Sequence, residues 1–179
     1  MCSFNSKIID LRDLSYFDFF EHLKKEIQSK GALLHGSPKV VDSLIPKKAN
    51  DEKREEGRKI AVYGTEKPHI SIFHAILNLD YLISNLSSIK SGYGMDGGNV
   101  FRFKLSKNIY DLVLAGDSDV FQDGYIYILD KSTFVKSKDS GGEYYSFSSP
   151  KILKVILFSK NIAKEMFVLD GDDKNLISY

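Results

Sequence analysis

Cysteine is nearly absent: Cys2 is the only one in 179 residues. That excludes an intramolecular disulfide and any cysteine-cluster metal site. Long apolar runs are absent too. Lys, Asp or His interrupts every apolar stretch well short of the roughly 18 residues that bridge a bilayer. No basic region followed by a continuous apolar core stands at the start, so a secretory leader is not expected. Together these point to a reducing, cytoplasmic-type compartment, or to an effector delivered by a route the sequence does not display. Charge of one sign is also missing. Twenty-five Lys and Arg balance 24 Asp and Glu, for a net charge of +1. A broad nucleic-acid-binding face has no support there, although a local basic groove stays open.

Metal motifs are equally scarce. His69 and His74 are five apart, no His-Glu-x-x-His occurs, and His22 and His35 stand alone. Asp117, Asp119 and Asp123, like the Asp170-Gly171-Asp172-Asp173 run, lack the twelve-residue calcium-loop pattern and read as hydrated turns. No metal is expected.

What is present is a patterned chain of single-domain size, without repeats or a dividing linker, so residues 1–179 read as one domain. Ser15 followed by Asp18 forms a capping-box arrangement, Phe20, Leu23 and Ile27 recur at helical spacing, and Gly31 supplies a left-handed stop. This predicts a covering helix near 15–30. Its Phe17, Phe19, Phe20 and Leu23 would make a local adhesive surface, but the helix also supplies a core-facing row, so nothing requires it to bind a membrane. A short strand over Ala32–Leu34 runs into His35-Gly36-Ser37-Pro38, and the charged run Lys47–Lys59 reads as a loop. A second strand, Lys59–Tyr63, leads into a helix entered at Pro68. The rows Ile70, Phe73, Leu77, Tyr81 and Ile72, Ile76, Leu79, Ile83 predict one wide-faced helix.

Residues 84–98 read as turns without a continuous element. Later the period changes to two, with Phe101, Phe103 and Leu105 alternating with Arg102 and Lys104. Tyr110–Leu114, Tyr125–Leu129, Glu143–Phe147 and Ile152–Phe158 are further strand candidates. Helices early and strands late make an α+β domain.

Polar groups at the ends of apolar strands need an explanation. His35, Tyr63 and Glu143 occupy such places in three strands, each with a glycine beside it: Gly36, Gly64 and Gly142. Each residue alone has a bland reading, as a structural histidine, a core tyrosine or an exposed acid. Taken together, Leu34-His35-Gly36-Ser37, then Val62-Tyr63-Gly64-Thr65 before a helix, then Glu143-Tyr144 followed by Ser148-Ser149-Pro150-Lys151-Ile152, resemble the ADP-ribosyltransferase superfamily. The likeness is closer to its poly/mono-ADP-ribose polymerase-like branch, whose signature is His-Tyr-Glu, and it covers roughly residues 31–158.

That resemblance implies a split β-sheet core with flanking helices around an NAD cleft. A Gly-x-Gly-x-x-Gly fingerprint is not needed there, and its absence argues only against a Rossmann dehydrogenase. It implies catalytic His35, Tyr63 and Glu143, with NAD as co-substrate. His35 would hold a ribose hydroxyl, the Gly36 backbone the nicotinamide amide, and Tyr63 the nicotinamide ring, with Ser37 and Gly64 beside the dinucleotide. Glu143 would stabilise positive charge at the anomeric carbon. Relatives often carry a second tyrosine on the following helix, where this chain has Phe73 and His74 as candidate walls.

Gly141-Gly142-Glu143 stands where arginine-directed relatives have Glu-x-Glu, which weakens an arginine acceptor. Mono-ADP-ribosyl transfer with nicotinamide release is the implied reaction. The acceptor is left open among a protein, a nucleic-acid end and a small molecule, and simple NAD hydrolysis is a further outcome. Arg54, Arg58 and Lys59 are candidates for recruiting it. The alternatives are an RNA 2′-phosphotransferase of the same broad fold and a non-catalytic ADP-ribosyltransferase-like binding module.

Overall fold

The computed structural model describes residues 8–48, 59–87, 91–96, 100–138, 143–163, 166 and 176–178, with the backbone alone described over 91–96, 100–104 and 176–178. Arg54, Arg58, the pairs Gly97-Gly98 and Gly141-Gly142, and the acidic run at 170–173 lie outside the described residues.

The chain is a mixed α+β structure. Its strands are β1 (Ile8–Asp10), β2 (Leu33–Ser37), β3 (Lys47–Lys48), β4 (Ile60–Thr65), β5 (Ser91–Asp96), β6 (Val100–Leu105), β7 (Gly124–Leu129), β8 (Val135–Lys136), β9 (Glu143–Ser146), β10 (Ile152–Phe158) and β11 (Leu176–Ser178). Its α-helices are α1 (Tyr16–Lys30), α2 (Pro68–Ile76), α3 (Leu79–Asn85) and α4 (Lys107–Leu114). The main sheet runs β1-β10-β7-β2-β4-β9-β8, with β3 added to β4, and a second sheet runs β11-β6-β5. Pairing in the main sheet is antiparallel except between β1 and β10.

Local chemistry fixes α1. Ser15 Oγ accepts from the Asp18 amide at 3.2 Å, and Gly31 closes the helix at φ 56°. The buried line is Phe19, Leu23 and Glu26, one residue off the Phe20-centred stripe, which is half-buried beside it. Glu26 is tolerated inside because Lys154 of β10 and Lys30 both bind its carboxylate. Burial pushes its pKa up, and those two lysine hydrogen bonds outweigh burial and hold it low.

Three expectations need correction. The wide helix after Pro68 is two helices. Leu77 leaves α2 to bridge Phe121, and Asn78 caps α3 by accepting from the Tyr81 amide at 3.2 Å. The turn-rich stretch 84–98 contains the end of α3 and the whole of β5. Tyr110–Leu114 belongs to helix α4, not a strand: Ser106 stands at its N-cap, and buried Ile109 lines up with half-buried Leu112 and Val113 at helical spacing. The short strands β1, β3, β8 and β11 were not anticipated.

The core has two parts, one on each side of the main sheet. Leu34, Ile126, Ile128, Ile156 and Phe158 pack with Phe19 and Leu23 of α1 and with Ile72, Phe73 and Ile76 of α2. On the opposite face Leu33, Val62, Tyr127, Leu129, Tyr144 and Val155 form a smaller cluster with Leu44. Tyr127 extends the second cluster to the chain after β2, because its hydroxyl accepts from the Val41 amide at 2.6 Å. Among the described residues no helix is long and apolar enough to cross a membrane.

Two glycines set how closely α2 lies on the sheet. A Cβ at Gly36 would fall inside the Ser71 carbonyl, with the Ala75 amide nitrogen 3.2 Å away. At Gly124 on the neighbouring strand it would stand 2.8 Å from the Ala75 Cβ. Small residues face small residues across this contact, so the helix backbone sits directly on the strands.

Candidate functional site

The main sheet has a weak seam where the candidate residues gather. β2 pairs with β7 over five residues, Leu33 through Ser37, yet it meets β4 at one pair, Leu34 with Thr65. On the far side of β4, β9 pairs from Val62–Ser146 to Thr65–Glu143. Leu34, Thr65 and Glu143 therefore form one cross-strand row. Beyond Leu34, β2 and β4 part.

His35 sits at that fork. Its Nδ1 lies 2.8 Å from the Tyr63 carbonyl oxygen. A carbonyl can only accept, so the hydrogen of the neutral ring belongs on Nδ1, leaving Nε2 as a bare acceptor. The ring edge also meets Tyr127, with centroids 6.2 Å apart. The three residues stand near strand ends but do not share a sheet face. Strand alternation puts Tyr63 and Glu143 on the α2 side and starts His35 towards the Tyr127 side. At the opened seam the His35 ring reaches the backbone of Tyr63 rather than its phenol.

His74 is the fourth member. Burial, then the charge of His35, lowers its pKa to about 4, and the Glu143 carboxylate opposes them. The two imidazoles and the carboxylate thus share one electrostatic neighbourhood, although they come from α2, β2 and β9. His74 keeps exposed surface, unlike its α2 neighbours Phe73 and Ala75. His35 is also held low by burial, with the Tyr63 carbonyl as the counterweight.

The remaining candidates have other partners. Phe73 is buried in the α2 core, its ring centroid 5.3 Å from that of His74, and of the two only His74 keeps exposed surface. Ser37 Oγ donates to the Lys39 carbonyl at 2.7 Å, forming a turn in its own loop. The phenol of Tyr63 donates to the Lys59 carbonyl at 3.1 Å. The tightness at Gly36 comes from α2, and a Cβ at Gly64 would press on Leu33 and Phe134 at 3.2–3.3 Å. Both glycines are thus accounted for by protein packing, without a ligand's approach.

The strand carrying Glu143 is anchored from the other face. Buried Tyr144 donates to Glu66 Oε2 at 3.1 Å, and Lys131 bridges Glu66 Oε1 at 2.6 Å while lying 4.3 Å above the Tyr144 ring. The lysine hydrogen bond is the main reason the Glu66 carboxyl is held low. The Ser137 amide also donates to the Glu143 carbonyl at 2.9 Å. Sequence reading missed this anchor, along with Tyr145 and Phe147 beyond Glu143. The alternation of residues 143, 145 and 147 was the available signal.

Acid stability should report the histidine cluster. An unfolded histidine takes its proton near 6.5, whereas folded His74 resists until about 4. The unfolded chain therefore binds more protons in that interval, and stability, complete above 6.5, falls as pH drops through it. His35 and His22, both lowered chiefly by burial, act in the same direction. Glu26 and Glu66 act below 4.5, outside this window. A melting-temperature series between about pH 7.5 and 5 should show the decline, with a smaller slope in His74→Phe. Equal slopes in the two proteins would remove His74 from the account.

Among the described residues no group of three or more His, Cys, Asp and Glu is arranged to hold a metal ion. In comparisons with protein-family models, with curated proteins and with solved structures, nothing matches this chain.

Proposed function

We propose that the chain is an NAD-dependent ADP-ribosyltransferase acting by mono-ADP-ribosyl transfer, with the seam between β2 and β4 as the dinucleotide cleft. One observation carries this reading: His35, His74 and Glu143 converge electrostatically at the place where the sheet opens, with His35 fixed on the Tyr63 backbone. The specific ADP-ribosyltransferase split-sheet fold belongs to the same proposal. It is supported by the order of the three motifs and by the single residue pair that joins the two parts of the sheet.

The residues suit the chemistry in definite ways. His35, with Nδ1 occupied, offers Nε2 to a ribose hydroxyl donor. His74, neutral at pH 7, presents a flat aromatic wall without placing a positive charge beside a cationic pyridinium. Tyr63 supplies a second aromatic surface at the fork, and the Gly36 backbone lies next to His35.

Glu143 puts its carboxylate where positive charge develops at the anomeric carbon as the bond to nicotinamide breaks. The bonding electron pair leaves with the nicotinamide nitrogen, and an acceptor nucleophile bonds to the carbon and gives up its proton. Electrostatic preorganisation of this kind contributes several kcal/mol to catalysis. The acceptor class is not part of this proposal, and water in its place gives hydrolysis.

The test is release of nicotinamide from NAD by the purified chain, with NAD affinity measured alongside. Release should fall in His35→Ala, accompanied by about tenfold weaker NAD binding as a hydrogen bond and a wall of the cleft are lost. Binding of NAD without any nicotinamide release would leave a non-catalytic module, and absence of both would end the reading.

A further inference from the structure

The α2 side of the sheet continues past the seam as a different surface. Alternation along β9 puts Glu143 and Tyr145 on one side, Phe147 follows one residue past the strand's end, and the cross-strand row through Tyr145 contains Tyr63 of β4 and Val135 of β8. α2 covers this side over β2, β7 and β4. Further out the cover ends: Phe147 is 63% exposed and Val135 52% exposed. The rings of Tyr145 and Phe147 meet edge to face with centroids 5.4 Å apart. Lys59 lies over Tyr145, its Nζ 4.0 Å from the ring centroid. Lys47, exposed on β3, pairs with Ala61 and so stands on the same side as Tyr63.

A half-buried and an exposed aromatic ring in contact, with lysines beside them, have two complementary demands. The rings accept flat π-faces, and the cations accept negative charge spaced a few ångströms from those faces. A peptide supplies flat rings only at particular residues, whereas single-stranded nucleic acid supplies one base and one phosphate at every step. We propose that the Tyr145–Phe147 surface, with Lys59 and Lys47, binds a short stretch of single-stranded nucleic acid. Lys59 already occupies the face of Tyr145, so an incoming base takes its place on the ring while the ammonium moves to the phosphate.

The surface is a few residues long, which agrees with a net charge of only +1. One or two nucleotides stack, and the rest of a strand extends away. Binding needs neither nicotinamide nor the Glu143 carboxylate, so this inference stands apart from the NAD reading.

Fluorescence anisotropy with a labelled oligothymidylate of about 12 nucleotides tests it, using the full chain without NAD. Saturable binding is expected in the micromolar range at low salt, weakening as salt rises. Phe147→Ala, at an exposed position, should keep the wild-type melting temperature and weaken binding about 5- to 100-fold, the range of one lost stacking contact. Lys59→Gln should flatten the salt dependence by about 0.7 in the logarithmic slope, the value of one phosphate contact on a single strand. Glu143→Gln should bind as tightly as wild type or slightly more tightly. No saturable binding, or unchanged binding in Phe147→Ala and Lys59→Gln together, would overturn the proposal. Competition by an acidic, aromatic-rich peptide at lower concentrations than the oligonucleotide would overturn it in favour of a protein partner.

Discussion

Replacing Glu143 by glutamine is expected to lower nicotinamide release from NAD by about 100- to 1000-fold while changing NAD affinity by less than about threefold, the pattern of a group that acts on developing charge. Glutamine keeps the size of the side chain and one carbonyl acceptor, but it loses the charge. The β9 backbone that carries it is held by the Ser137 amide and by Tyr144 on Glu66 and Lys131, none of which depends on the carboxylate. The fold and the cleft should therefore survive.

A second readout separates this effect from a general disturbance. Glu143 is the group that opposes the lowering of the His74 pKa. Its neutralisation should push His74 lower still, visible as a shift of the imidazole titration by NMR. Equal losses in binding and turnover, with no movement of His74, would mean that residue 143 shapes the site rather than acting on charge. Unchanged turnover would remove Glu143 from the chemistry altogether.

The parts of this structure that could be read from the sequence are those fixed by near neighbours. Ser15, Asp18 and Gly31 specify both ends of α1 within a few residues, and the period-two runs of β6, β7, β9 and β10 need no partner to be recognised. Helix α4 was misread because Tyr110 and Val113 have strand-forming side chains in a short apolar run. The spacing of Leu112 and Val113 from Ile109 outweighs that preference once the helix has a core to face. The two-residue strands β3 and β8 carry almost no pattern of their own and exist through distant partners on β4 and β9.

The candidate site divides in the same way. His35, Tyr63 and Glu143 were legible as polar residues at strand ends, but their faces were not, because a face depends on register and register depends on non-local pairing. The choice between Phe73 and His74 was open in the sequence for a related reason. Both lie on the same turn of α2, and only the packing of that helix onto β2 and β7 buries Phe73 and leaves His74 exposed.

Gly36→Ala should cost the fold about 3 kcal/mol, at the upper end of ordinary overpacking effects. For a chain of this size that corresponds to a melting-temperature drop of about 6–12 °C. What obstructs the new methyl decides the size of the effect. At Gly36 it is the backbone carbonyl of Ser71, so no rotamer change makes room and either α2 or β2 must move. At Gly64 the nearest atoms are the Leu33 Cβ at 3.2 Å and the Phe134 ring at 3.3 Å, so a shift of a few tenths of an ångström in β2 and the ring suffices, and Gly64→Ala should cost less. Gly31 has nothing within 4 Å, and its φ of +56° makes Gly31→Ala a pure backbone-strain control of about 1 kcal/mol.

Truncating the α2 side chain cannot rescue the clash, because the obstruction is main chain. Ser71→Ala added to Gly36→Ala should therefore leave the loss in place or deepen it, since the Ser71 hydroxyl donates to the Pro68 carbonyl at 2.8 Å. Thermal unfolding of the three single variants and this double variant gives the ranking directly. The consequence reaches the candidate site because α2 carries His74 and β2 carries His35. Lifting the helix by even part of a methyl diameter separates the two imidazoles, so the His74 pKa in Gly36→Ala should rise from about 4 towards 6.5. A Gly36→Ala protein as stable as wild type, with His74 still titrating near its original value, would show that α2 does not rest on that glycine and that close helix–strand contact is not what holds the two histidines together.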